Sequence, residues 1–204
     1  GSSPRGRRVW RATVAAHREA LDQPSAGMGS AGGPSIDEGG RVFSTTGNSP
    51  IGQTDLPGVW GQSLVAFTPS LDIAGTYTPY DYCATDIADA DISGSAPVLL
   101  PPLERTSTPH LAACGSKQGM GYLVDRDALP GAKDKRPVCD PLALDPSRER
   151  SLVGPSSKTP LSVFGPFSQG PNDNNLDHAK MRSTPAFFRD AGQPLLFVSG
   201  TTKD

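Results

Sequence analysis

Short runs of alternating apolar and polar residues, separated by Gly, Pro, Asn and Asp, occupy most of the chain after residue 33. Alternation with a period of two is typical of half-buried β-strands. It predicts strands at 41–46, 62–67, 73–77, 96–100, 110–114, 122–125, 161–167, 184–188 and 195–199. Nearer the start we expect a strand at 8–14 and no regular element at 25–33. The pattern therefore predicts nine or ten short strands and no long helix.

The segments between these strands are predicted to be loops and turns. Residues 116–119 favour a hairpin turn, and residues 47–58 and 130–160 are rich in turn-forming residues. Four carboxylates fall within 81–95, namely Asp81, Asp86, Asp89 and Asp91. Carboxylate clusters can hold calcium, but the glycine and terminal glutamate of an EF-hand loop are missing. We therefore expect a solvated acidic loop.

Evenly spaced short strands favour a sandwich, a barrel or a propeller. A propeller blade takes roughly 40–50 residues, so the 204 residues correspond to about four blades. We predict an all-β fold, a partial β-propeller of about four four-stranded antiparallel blades from a larger propeller. Residues 1–33 would be an irregular N-terminal segment and 34–204 the blades. The partners expected are the remaining blades or another protein chain, which would cover the open sheet faces.

Composition and charge exclude several classes of partner. The formal net charge is −2 and the pI is near 5.9, which leaves no excess of basic residues for nucleic acid or an anionic membrane surface. No apolar stretch approaches the ~18 residues of a membrane helix. Residues 2–8 lead into no apolar segment of the kind found in secretory signals.

The Cys, His and Gly patterns indicate no familiar site. Cys83, Cys114 and Cys139 fit no zinc spacing and allow at most one internal disulfide, whose pairing stays open. Cys114 lies in an apolar run and is equally well interpreted as a small buried residue. The three histidines form no HExxH or HxH motif, and no GxSxG elbow is present. Residues 27–33 lack the strand and helix that flank a dinucleotide-binding glycine loop.

Several motifs occur in the order found in one family. These are VFSTTGN at 42–48, SLVAF at 63–67, SAPVL at 95–99, GSKQGMGYLVDR at 115–126, and STPA at 183–186 followed by LFV at 196–198. Together they resemble the strands of quinoprotein alcohol dehydrogenases, which are β-propellers that use pyrroloquinoline quinone. The resemblance spans about residues 34–200. It implies the propeller fold and a periplasmic or secreted location.

Two residues fall where the resemblance implies a cofactor site. Asn48 ends the Thr-Gly-Asn motif, whose asparagine gives an oxygen to calcium in these dehydrogenases, and calcium accepts such neutral ligands. Lys117 falls where the family places a cation against the quinone oxygens, which stabilises charge on the reduced quinone. Alternatively, Gly47-Asn48 simply makes a turn, since both residues tolerate positive φ, and Lys117 is a solvated turn lysine.

The general base that such a dehydrogenase needs is missing from its expected place. Pro57 and Gly58 fall where the family has Asp and Asn, and Asp55 substitutes only if the loop differs. Losing a general base costs roughly 10²–10⁴-fold in rate. The adjacent-cysteine disulfide, the tryptophan floor and the AxDxxTGxxxW repeat are also absent from these residues. The sequence therefore favours a non-catalytic propeller that acts as a binding or structural scaffold.

Two other functions remain open. Asn48 and Lys117 both fall at the positions where the family has its calcium ligand and its quinone contact. This favours a dehydrogenase that uses calcium and pyrroloquinoline quinone to oxidise alcohols or polyols. A carbohydrate-binding propeller would need exposed aromatic side chains for stacking, and the candidates are Trp60, Tyr77, Tyr80 and Tyr82. Ordinary packing between strands is the simpler expectation for these four residues.

Overall fold

The computed structural model describes residues 33–49, 58–133, 136–140, 160–165, 181, 183–190 and 192–198. Within them, ten short strands form three antiparallel sheets. The first sheet has the order β1 (Ser35–Ile36), β2 (Val42–Thr45), β3 (Leu64–Phe67) and β4 (Ile73–Tyr77). The second has the order β5 (Val98–Leu99), β6 (Leu111–Gly115), β7 (Gly121–Asp125) and β8 (Ser162–Phe164). The third is the hairpin of β9 (Ala186–Asp190) and β10 (Gln193–Phe197).

The prediction of an all-β fold is confirmed in the described part of the chain. Two sheets have four antiparallel strands in sequence order and the third has two, while their assignment as propeller blades stays a prediction. None of the three sheets closes on itself. The strand at 73–77 was predicted with its observed bounds, whereas the one at 8–14 lies outside the described residues. No helix in the described ranges is long and apolar enough to cross a membrane.

The second sheet is packed on both faces, which follows from the period-two alternation of its strands. On β6, Ala112 and Cys114 enter a core shared with Phe43 and Leu64 of the first sheet. The alternate residues of β6 and β7 face the other way, into a second apolar cluster with the hairpin residues Phe187 and Leu196. One apolar layer therefore lies between the first and second sheets, and another lies between the second sheet and the hairpin.

The segment between β4 and β5, residues 81–94, corrects one prediction. We call it the connector. It contains a short helix, α1 (Tyr82–Ile87), and one turn of 3₁₀ helix (Ile92–Gly94). Three of its four carboxylates are buried, and only Asp89 is exposed. The prediction of a solvated acidic loop is therefore wrong, because contacts with the first and second sheets enclose the segment.

The third sheet carries its own apolar residues on the outside. The face of the hairpin opposite Phe187 and Leu196 includes Phe188, Leu195 and Phe197, which are 47%, 40% and 63% exposed. The rings of Phe188 and Phe197 lie 6.1 Å apart between centroids. An apolar surface of this kind is typical of a site that another surface covers.

Candidate functional site

The two residues singled out by the sequence lie at one carboxylate of the connector. Lys117 Nζ is 3.1 Å from Asp89 Oδ1, and Asn48 Nδ2 donates to the same oxygen at 3.4 Å. Asn48 follows the end of the first sheet's β2, and Lys117 stands in the β6–β7 turn of the second sheet. The structure therefore brings together two side chains that are far apart in sequence. Their assignments as a calcium ligand and a quinone contact stay predictions.

Lys117 is held by two carboxylates. Its ammonium also lies 2.8 Å from Asp91 Oδ2, and its backbone N–H donates to the Asp91 carbonyl at 2.8 Å. Burial alone would lower the pKa of Lys117, but hydrogen bonds and charge attraction from Asp91 and Asp89 outweigh it and raise the pKa above its ordinary value. The lysine is therefore a fixed cation within an ion-pair cluster. It is not the solvated turn lysine of the alternative interpretation.

Gln62 lies at the centre of this cluster, and the sequence did not reveal it. Its Nε2 donates to Asn48 Oδ1 at 2.7 Å and to Asp91 Oδ1 at 2.6 Å, while its Oε1 accepts from the backbone of Ile92 at 3.1 Å. Its φ of 53° is left-handed, a conformation that costs a non-glycine residue about 1–2 kcal/mol. A strained backbone supported by several bonds is typical of a site that fixes geometry.

The residue before Gln62 explains how the chain reaches this position. A Cβ added to Gly61 would stand 2.5 Å from the Ser49 Cβ, so only glycine fits there. The Gly61 carbonyl accepts from Arg136 Nη1 at 2.6 Å, and Arg136 Nη2 donates to Ser49 Oγ at 3.2 Å. The buried guanidinium of Arg136 thus joins Ser49 and Gly61 by hydrogen bonds where the two residues approach each other. In the sequence, the glycine at 61 is the signal that fits this close approach.

A second part of the site fastens helix α1. Cys83 forms a disulfide with Cys139, and the Tyr82 hydroxyl donates to the Pro137 carbonyl at 2.6 Å. The guanidinium of Arg136 lies over the Tyr82 ring, 4.8 Å from its centroid. The pairing left open by the sequence is thereby resolved. The third cysteine, Cys114, is a free and buried thiol whose pKa burial raises to about 12, in agreement with its interpretation as a small core residue.

The four connector carboxylates do not act as one cluster. Asp89 and Asp91 bind Lys117. Asp86 Oδ1 accepts from the Ser49 backbone at 2.8 Å, and its pKa is raised, mainly by burial. Asp81 instead accepts from Gln118 Nε2 at 2.8 Å. Across the described residues, no group of three or more His, Cys, Asp or Glu side chains is placed to hold a metal ion.

The described residues fit calcium and a quinone poorly. The Asn48 oxygen that would ligate calcium accepts a hydrogen bond from Gln62, and the nearest carboxylates already bind the Lys117 ammonium. A divalent cation added there would be repelled by that ammonium. Gly58 forms a turn with a φ of 79°, while Asp55 and Pro57 lie outside the described residues.

The aromatic residues considered for carbohydrate binding lie mostly inside the protein. Trp60, Tyr77 and Tyr82 are at most 4% exposed, and Tyr80 is partly buried. Tyr77 packs edge-on against Tyr122 of the second sheet, with ring centroids 5.5 Å apart. Sugar stacking needs an accessible ring face, so the three buried residues provide no platform for it.

Comparison with known proteins adds no relative. No known protein family, no curated protein and no solved structure matches this chain. The resemblance to quinoprotein dehydrogenases therefore depends on the sequence motifs alone, and the geometry of the site has to carry any proposal.

Proposed function

We propose that the chain is a non-catalytic, quinoprotein-like β-propeller segment that acts as a structural or binding scaffold. One observation carries the proposal: the two positions that a cofactor would need, Asn48 and Lys117, bind other side chains of the protein. Through Gln62, Asp89 and Asp91 they link the first sheet, the connector and the second sheet. A group engaged in this way is not free to bind a quinone.

The succession of sheets supports the propeller part of the proposal. Two four-stranded antiparallel sheets and a hairpin follow one another in chain order, each packed on the next through an apolar layer. Radial repetition of such sheets is the architecture of propellers. The outer face of the hairpin, with Phe188, Leu195 and Phe197 exposed, is the surface on which remaining blades or another protein chain would pack.

The disulfide supports the location that the resemblance implies. The chain has a disulfide between Cys83 and Cys139. Disulfides persist in oxidising compartments and are rare in reducing ones. We therefore propose an extracytoplasmic protein, either periplasmic or secreted.

The experiment that tests the proposal is a cofactor-retention assay. The protein is incubated with calcium and pyrroloquinoline quinone and then desalted, and the absorbance of retained quinone is measured together with dye-linked oxidation of alcohols. We expect no retention and no oxidation. Retention in the wild-type protein that is lost in Lys117→Met would overturn the scaffold proposal and favour the dehydrogenase. The exposed Lys133→Met serves as the matched control.

A further inference from the structure

A buried acid and a buried amide lie against each other beside the candidate site. Asp81 directly precedes α1, and Gln118 stands in the β6–β7 turn. Gln118 Nε2 donates to Asp81 Oδ2 at 2.8 Å, and the two residues are 1% and 4% exposed. The other oxygen of each group, Asp81 Oδ1 and Gln118 Oε1, is buried and has no hydrogen-bond partner among the described residues.

The chemistry of these two oxygens is complementary once a proton is added. A carboxylate and an amide oxygen are both acceptors only, so neither oxygen can satisfy the other. A protonated carboxyl group carries one O–H donor, which can point at the amide oxygen. One proton therefore satisfies both buried oxygens, each of which otherwise carries a desolvation penalty.

The electrostatic surroundings favour the neutral acid. Burial raises the pKa of Asp81 to about 6, although hydrogen bonds from Gln118 and from the Asp81 backbone oppose the shift. Among the described residues, Asp81 has no cation within ion-pair distance. Charged side chains of the neighbouring segments bind other groups. Lys117 binds Asp89 and Asp91, Arg136 binds Gly61 and Ser49, and Asp86 accepts from the Ser49 backbone.

We propose that Asp81 is a neutral carboxylic acid in acidic solution and then donates its proton to Gln118 Oε1, and that the pair is a pH-sensitive lock between the connector and the second sheet. Two hydrogen bonds in opposite directions then join the segment before α1 to the β6–β7 turn. Loss of the proton to solvent leaves a buried carboxylate facing an amide oxygen, and the lock weakens. The proposal is independent of the scaffold function.

The direction of the pH effect follows from the raised pKa. The folded pKa of about 6 exceeds the ordinary value of 3.8, so the folded state holds the proton more tightly than the unfolded chain. The stabilisation is complete below pH 3.8 and is lost as the pH rises through 6. Asp81 alone should raise the unfolding equilibrium constant ~50-fold between pH 4 and pH 7.

The substitution Asp81→Asn tests the lock, because an asparagine amide replaces the O–H with an N–H donor that does not titrate. We expect Asp81→Asn to match wild type near pH 4 and to unfold tens of fold less readily than wild type at pH 7. Urea unfolding at each pH measures the ratio, and the exposed Asp190→Asn is the control. A ratio that does not change with pH would overturn the lock.

A second measurement needs no variant. The ¹³Cγ resonance of Asp81 in the wild-type protein, followed by NMR across the same pH range, should titrate with a midpoint near 6. A midpoint at or below the ordinary 3.8 would show that the fold does not favour the protonated acid, and would also reject the proposal.

Discussion

Replacing Lys117 with methionine should destabilise the fold, because the lysine neutralises a buried carboxylate between the two four-stranded sheets. Methionine keeps most of the aliphatic chain but removes the ammonium. The two ion pairs that are lost differ in their surroundings, since the side chain of Asp91 is 9% exposed and that of Asp89 is 71% exposed.

The magnitude follows from those surroundings. The pair with exposed Asp89 is screened by water and contributes about 0–1 kcal/mol. Removing the cation from Asp91 leaves a nearly buried carboxylate whose side chain keeps the hydrogen bond from Gln62. Breaking a buried pair from one side costs about 3–5 kcal/mol, and the partial exposure of Lys117 reduces this figure. We expect the free energy of unfolding to fall by about 2–4 kcal/mol.

Urea unfolding at pH 7, followed by tryptophan fluorescence, measures the change, because Trp60 is buried in the fold. Lys133→Met is the matched control, since Lys133 is exposed and should change stability by no more than about 0.5 kcal/mol. Asp91→Asn and the double variant complete a cycle that isolates the pair. We expect a coupling of about 1–3 kcal/mol between positions 117 and 91.

An ion-pair role for Lys117 would be contradicted if Lys117→Met lost no more stability than Lys133→Met, or if the cycle gave no coupling. Either result would mean that the ammonium is not needed at Asp91. Lys117 would then be available to bind a ligand, as the dehydrogenase alternative requires.

Two further predictions concern the loop before β3 and the disulfide. In urea unfolding, Gln62→Ala should lower the free energy of unfolding by about 1 kcal/mol more than Gln62→Gly does. Both variants lose the same hydrogen bonds, but only glycine accepts a φ of 53° without strain. Equal losses of unfolding free energy in the two variants would show that position 62 is not strained. Reducing Cys83–Cys139, which closes a separation of 56 residues, should lower the free energy of unfolding by about 2–4 kcal/mol, whereas a Cys83→Ala/Cys139→Ala variant should not respond to reductant.

The strands could be predicted from the sequence because their signal is local. In β6 the residues alternate between two apolar cores, and each position needs only the period-two rule to be assigned a face. The same rule located β4 at Ile73–Tyr77. The two-residue strand β1 was missed because it is too short to show any alternation.

Helix α1 could not be predicted in the same way. Its six residues include β-branched and aromatic types with modest helix propensity, and isolated helices of this length are unstable in water. The helix is held by its disulfide and by the bond from Tyr82 to Pro137, both of which reach residues more than fifty positions away. Contacts at that distance leave no pattern in the local sequence.

The site shows the same division. Residue patterns were enough to identify Asn48 and Lys117 as candidate functional residues, and the alternation of the strands was enough to assign the all-β class. The folded structure was needed to show that both side chains meet at Asp89, and that Gln62 and Asp91 complete the cluster. Hydrogen bonds and ion pairs depend on distances in space, and these are set by the packing of the two sheets and not by residue order.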